Sequence, residues 1–341
     1  MNTENKTTKN PIKTLLTILV SLVVAAFFMW LAVKGLEFDK IKGYFAKADY
    51  FWVVIAAVFG LLAYWFRAIR WNLLLEPMDY KISNSNALWT LSFGYLMNLT
   101  IPRSGEVARA TALYGVEKVP VEKSFGTIIL ERVVDLVCML LFLGLTLIFK
   151  YEAIAEFYRY STQQNSSEAT SSLWIWLVLG GGLLAMILFF VLRKSLQKIP
   201  LLAKIYKLVD GLLQGILSIF RLKQPLIFVI YSLAIWFCYY LASYLICFAL
   251  PETSAFSITD GFFIIVVGTL GMMVPASGGI GAFHFALKVG IGALFLSFGK
   301  SYEEGSEVGL AYAFISHTMQ MLIMILMGII SIPMLAKNKI K

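Results

Sequence analysis

Between Asn98 and Ala110 the chain reads NLTIPRSGEVARA, which sets Arg103, Glu106 and Arg109 beside Pro102 and Gly105 inside a long apolar region. Proline ends a helix and buried charge is costly in hydrocarbon, so such a stretch implies a broken helix whose tip carries function. A second stretch, MMVPASGGIGAFHFAL from Met272 to Leu287, shares the form Pro-x-Ser-Gly. Where a helix restarts after a break, its first N–H groups lack partners and its dipole is positive. Ser104 and Ser277 are therefore expected to cap, while Gly105, Gly278 and Gly279 let the backbone approach an anion closely. A phosphate suits such a site. Arg103 and Arg109 can add charge-assisted contacts to it, or can pair with Glu106.

Further along, ILERVVDL places Glu131 and Asp135 four residues apart on one helix face, with Arg132 three residues before Asp135. The spacing permits a local Arg132–Asp135 pair and leaves Glu131 to meet Arg103 or Arg109 across the bundle. Two readings stay open and are compatible: an internal ion-pair lock, and a network that exchanges partners with a charged headgroup. His284 and Lys288 share a face at i, i+4. Protonation of His284 could couple transport to pH, although a satisfied or water-facing histidine is the plainer reading. The separated His284 and His317 give no metal signature, so neither metal nor cofactor is expected. No nucleophile or acid–base pair surpasses the ion-pair reading of Glu131 and Asp135, and enzymatic chemistry is not expected.

The elements that must hold these residues follow from composition. With 59% hydrophobic and 14% charged residues and a mean hydropathy of +0.78, a chain of 341 residues has too little polar surface for water and reads as a polytopic membrane protein. Cys138, Cys238 and Cys247 all fall in apolar segments and offer no disulfide framework. The net charge of +9 is gathered in short loops between apolar runs, a pattern that orients membrane helices and does not suggest nucleic acid.

Six runs are long enough to cross a hydrocarbon core of about 30 Å: 15–33, 51–71, 124–149, 173–192, 225–250 and 308–334. The first follows Lys6, Lys9 and Lys13 but has no small-x-small cleavage site, and reads as a retained anchor. A polar, Ser-rich stretch fills 150–172, and a Lys-rich amphipathic stretch fills 193–224, as if lying on an anionic leaflet. Two more apolar stretches, 86–116 and 259–298, each carry one break. The arms of the first, 86–101 and 105–116, reach only about 24 and 18 Å, so each stretch reads as a re-entrant hairpin of half-helices. The second arm of the later one, 279–298, could reach about 30 Å and span alone, but that would put Lys337, Lys339 and Lys341 outside, against the positive-inside tendency. With this topology the inner segments hold 18 Lys and Arg and the outer segments 7, which places both termini in the cytoplasm. The fold expected is all-α: a single membrane domain, 1–341, of six spans and two hairpins in an inverted-topology repeat, with a first repeat over 12–150 and a second over 172–336. Interrupted segments at matching positions of two inverted halves point to a midplane binding site.

RAIRW (67–71), Asn98 with PRSGEVAR (102–109), ERVVD (131–135) and GGIGAF (278–283), in this order over nearly the whole chain, resemble the lysylphosphatidylglycerol synthase transmembrane family. The resemblance implies a bacterial or archaeal inner-membrane protein with a flippase-like domain that moves lipids, here without the aminoacyl-transfer domain. This chain departs from the family pattern at His284, where a Glu is common, and the lost negative charge argues against a cationic lysyl headgroup. The expected ligand is a membrane lipid with a phosphate headgroup, derived from phosphatidylglycerol or similar. The alternatives are a polyprenyl-phosphate carrier and a non-transporting partner of a lipid-modifying envelope enzyme, docked through the basic linker 193–223.

Overall fold

The computed structural model describes residues 11–35, 38–101, 103–164 and 219–338. Every regular element among them is helical. The α-helices run α1 (Pro11–Val33), α2 (Phe38–Lys47), α3 (Tyr50–Leu75), α4 (Asn84–Thr100), α5 (Gly105–Glu117), α6 (Val121–Phe149), α7 (Tyr151–Gln164), α8 (Pro225–Tyr244), α9 (Ile258–Met273), α10 (Ala282–Ser297) and α11 (Tyr302–Lys337).

Among the described residues six helical segments are long and apolar enough to cross a membrane: Leu15–Val33, Tyr50–Met78, Val121–Phe149, Pro225–Ala249, Ser277–Ser297 and Tyr302–Lys337. Five answer to expected spans. The expected span 173–192, and the linker 193–224 as far as residue 218, lie outside the described residues. The sixth segment, Ser277–Ser297, belongs to the second broken stretch. Its regular helix starts only at Ala282, after Gly281 at φ 81°, so α10 itself is about 24 Å long.

Local chemistry sets the ends of these helices. Asp49 accepts from the Phe51 N–H at 3.0 Å to start α3, and Ser83 accepts from Ser85 at 3.2 Å to start α4. Ser257 and Asp260 form a reciprocal capping box on α9, which satisfies N–H groups that no preceding turn can reach. In α1 the side chains of Leu15, Leu19, Val23 and Phe27 stay exposed, as do Leu140, Leu141 and Ile148 of α6. In a bilayer those faces meet acyl chains.

The described interior is built from four clusters, the smallest of which, Ala32, Ile41 and Leu310, joins α1, α2 and α11. Trp71, Leu75, Ala87, Leu113 and Ile128 pack α3 to α6 together. Val134, Phe228, Ile235, Trp236, Tyr240 and Ile265 join α6, α8 and α9, while Phe263, Phe283, Leu287, Ile291, Phe295 and Tyr312 join α9, α10 and α11. Across the molecule α3 packs on α8, α4 on α11, and α6 on α9. Two contacts tie ends together in matching fashion. Lys150, just after α6, reaches Asp260 in the third position of α9 at 2.6 Å. Asn338, just after α11, donates to Asn86 in the third position of α4 at 2.8 Å.

Candidate functional site

The first hairpin folds back tightly because two glycines face each other. Gly94 of α4 and Gly105 of α5 are so close that a Cβ on either would collide with the other's backbone, a small-residue contact that lets two helices approach closely. At its tip Arg103 takes φ 59°, a left-handed conformation uncommon for a residue with a side chain. The capping differs from the sequence expectation. Ser104 does not cap α5; its Oγ donates to the carbonyls of Met97 at 3.0 Å and Ile101 at 2.8 Å, closing the end of α4. Asn98 Oδ1 instead accepts from the Gly105 N–H at 2.7 Å. An oxygen on the preceding helix thus does what a side chain at the break was expected to do, because α5 returns antiparallel beside α4.

The second tip departs from its expectation too. Gly278 and Gly279 take φ 60° and 75°, as the turn requires of residues free of a Cβ. Ser277 does not cap α10; its Oγ lies 3.2 Å from Ser21 Oγ on α1. His317 Nε2 is 2.9 Å from the Gly278 carbonyl, and since that oxygen only accepts, Nε2 carries the proton. His284 is 4% exposed and its ring lies tilted beside that of His317, 4.9 Å between centroids. The two histidines, separated in sequence, are thus neighbours behind the tip. Lys288 donates to the carbonyls of Ala32 at 2.9 Å and Lys34 at 3.3 Å, which closes the C-terminal end of α1.

Between the tips lies a cavity of about 660 Å³. Arg103, Glu106, Arg132 and Asp135 of the first half and Gly278 and Gly279 of the second line it. Gly278 also packs against Leu99. Arg109, Glu131, Ser104, Gly105, Ser277 and His284 do not line it; they stand behind its wall or in the tip backbones.

The wall is an ion-pair chain. Asp135 accepts from Arg67 Nη1 at 3.1 Å and Arg70 Nη2 at 3.0 Å, while Arg132 is farther at 3.7 Å and also reaches Glu106 at 3.3 Å. The local Arg132–Asp135 pair is therefore the weaker of Asp135's contacts, because α3 presents two guanidinium groups at closer range. Glu131 meets Arg109 at 2.6 Å, one of the two partners the sequence allowed it, and Arg70 at 3.6 Å. The Arg109 guanidinium also stacks 3.5 Å above the Trp71 ring, so it is held on two sides away from the cavity. Glu106 pairs with neither Arg103 nor Arg109 in the described ion pairs. Arg103 has no ion-pair partner among the described residues.

Arg67 and Arg70 correct the charge count. They sit at the end of the expected span 51–71 and are counted among the 18 inner Lys and Arg, yet they are 2% and 0% exposed within α3, and without them the inner segments hold 16 Lys and Arg against 7. An arginine pair at i, i+3 in a helix that continues past it is the signal that could have found them. The cavity-lining Tyr64, Tyr95 and Tyr239 carried no such signal, since a tyrosine in an apolar run reads as packing.

A bundle whose described residues form only helices, six of them potential membrane crossings, with buried charges beside a cavity, is a multi-pass membrane protein. The Lysylphosphatidylglycerol synthase TM region family matches residues 18–333, and the chain belongs to that family. It is also similar to the UPF0104 membrane protein MJ1595 of Methanocaldococcus jannaschii, with 25% identity over 126 residues. That stretch covers 36% of this chain and 38% of the relative, so the match spans well under half of either protein. No solved structure gives a significant match.

Proposed function

We propose that this chain is a flippase-like carrier of a bacterial or archaeal cell membrane, which takes a phosphate-bearing lipid headgroup into the cavity while the tails stay in the bilayer. The observation that carries this reading is Arg103. It lines the cavity without an ion-pair partner among the described residues, whereas Arg67 and Arg132 beside it are both paired. Arg103 is exposed, and an exposed cation on a cavity wall can replace headgroup hydration with a charge-assisted contact. The cavity is of a size that encloses a headgroup.

Matched packing supports an inverted repeat. The hairpin of each half lies on the last helix of the other, α4 on α11 and α9 on α6. The Lys150–Asp260 and Asn338–Asn86 ties occupy corresponding places, which is what a two-fold axis between the halves produces. The surplus of basic residues in the inner segments supports cytoplasmic termini.

The test is movement of a labelled phospholipid in reconstituted vesicles, with a melting curve for each variant. Arg103→Ala should nearly abolish transfer and Arg103→Lys should weaken it, since Lys lacks the planar fork of Arg. Neither should lower the melting temperature, because Arg103 holds no buried partner. Normal transfer by Arg103→Ala would refute the reading. A polyprenyl phosphate offers the same phosphate and is tested as a second labelled substrate. Co-purification with an envelope enzyme and no lipid movement would favour the role of a non-transporting partner.

A further inference from the structure

The cavity holds a second cationic feature that is only partly satisfied. Arg67 lines it and is 2% exposed. Its Nη1 donates to Asp135 at 3.1 Å and to the Tyr239 hydroxyl at 3.1 Å, but Nε and Nη2 have no acceptor among the described residues. Those two nitrogens form one edge of the guanidinium, and their parallel N–H groups match two oxygens of a phosphate. A buried donor without an acceptor is destabilising, so the edge is suited to a ligand oxygen. Arg109 also leaves Nε and Nη2 unmatched, but it does not line the cavity and lies on Trp71. Tyr239 lies at Nη1, off that edge, and also lines the cavity: with its oxygen accepting from Arg67, its own proton remains available to a second acceptor.

Charge sets the class of ligand. Arg67, Arg70, Arg103, Arg109 and Arg132 stand against Glu106, Glu131 and Asp135, an excess of two positive charges among the described residues of the site. Each of the three carboxylates is already paired with an arginine. A headgroup ammonium would meet no free carboxylate there, whereas an anion would meet unmatched donors.

We propose that Arg67 and Tyr239 form an inner phosphate subsite, distinct from Arg103 at the hairpin tip, and that the site selects anionic headgroups over amine-bearing ones. The proposal rests on the lipid-carrier reading and adds the ligand class and two residues to it.

The experiment measures binding to the purified full-length protein in detergent by calorimetry. The probes are dihexanoyl phosphatidylglycerol, dihexanoyl phosphatidylethanolamine and inorganic phosphate. Phosphatidylglycerol should bind tenfold or more tighter than phosphatidylethanolamine, on the order of one charged hydrogen bond. Arg67→Gln should weaken phosphatidylglycerol binding by about tenfold to a hundredfold and Tyr239→Phe by about threefold to tenfold. Because Arg67→Gln removes a partner of Asp135 and could unfold, Tyr239→Phe and Arg67→Lys carry the test with the fold intact. Equal affinity for the two lipids overturns the selectivity. Unchanged binding in Tyr239→Phe and Arg67→Lys, with loss in Arg103→Gln, overturns the inner subsite while the carrier reading stands. No binding or movement of any anionic lipid by the native protein removes both. Inorganic phosphate bound as tightly as the lipid would overturn the lipid source of the phosphate.

Discussion

Glu131 is the buried pivot of the ion-pair chain, and its replacement separates an ion pair that holds the fold from one that merely decorates it. Its side chain is 0% exposed, with Arg109 at 2.6 Å and Arg70 at 3.6 Å. In Glu131→Ala, Arg70 keeps Asp135 at 3.0 Å, but Arg109 is left with the Trp71 ring at 3.5 Å as its chief support. Removing one partner of a buried pair costs roughly 3–5 kcal/mol, because the remaining charge is desolvated without compensation. Glu131→Gln keeps one acceptor oxygen and should fall at the lower end of that range. Adding Arg109→Met removes the stranded charge, and the double variant should recover stability, with a coupling on the order of 0.5–3 kcal/mol. Thermal unfolding in detergent, followed by the fluorescence of the eight tryptophans at one fixed scan rate, reads the effect as a melting shift. If Glu131→Gln melts like the native protein, or the two substitutions simply add, Glu131 and Arg109 are not a coupled pair and the wall is not held by charge.

Two further outcomes are expected. Gly105→Ala places a Cβ against the Gly94 carbonyl and the Asn98 side chain and should lower stability by about 1–3 kcal/mol through overpacking. Gly115→Ala in the same helix meets nothing within 4 Å and should be neutral or slightly stabilising, so equal melting of the two would show that the hairpin is not closed by glycine contact. For topology, the three native cysteines are buried and give a quiet background. In intact cells Lys300→Cys should react with an impermeant maleimide and Glu122→Cys should not; the reverse would invert the orientation.

Much of the fold was legible because hydropathy and breaks are local. The apolar arms 86–101 and 105–116 became α4 and α5, Asn84–Thr100 and Gly105–Glu117, since Pro102, Ser104 and Gly105 end one helix and start the next whatever packs around them. The spacing of Glu131 and Asp135 placed them on one face, and it named Arg109 as one of two possible partners of Glu131. What the sequence left open was every choice among partners. Whether Ser104 or Asn98 caps α5 depends on the angle at which the hairpin closes, and that angle is set where Gly94 meets Gly105. Whether Asp135 pairs with Arg132 on its own helix or with Arg67 and Arg70 depends on α3 lying across α6. Hydropathy placed those two arginines at the end of the span 51–71, where they counted as inner charge, and only the carboxylates of a helix more than sixty positions away turn them inward. The neighbouring rings of His284 and His317 arise in the same way, from α10 packing on α11. Local sequence decides where a helix begins and ends; which of several equally charged groups it meets is a property of distance in space, and only the packed bundle supplies that.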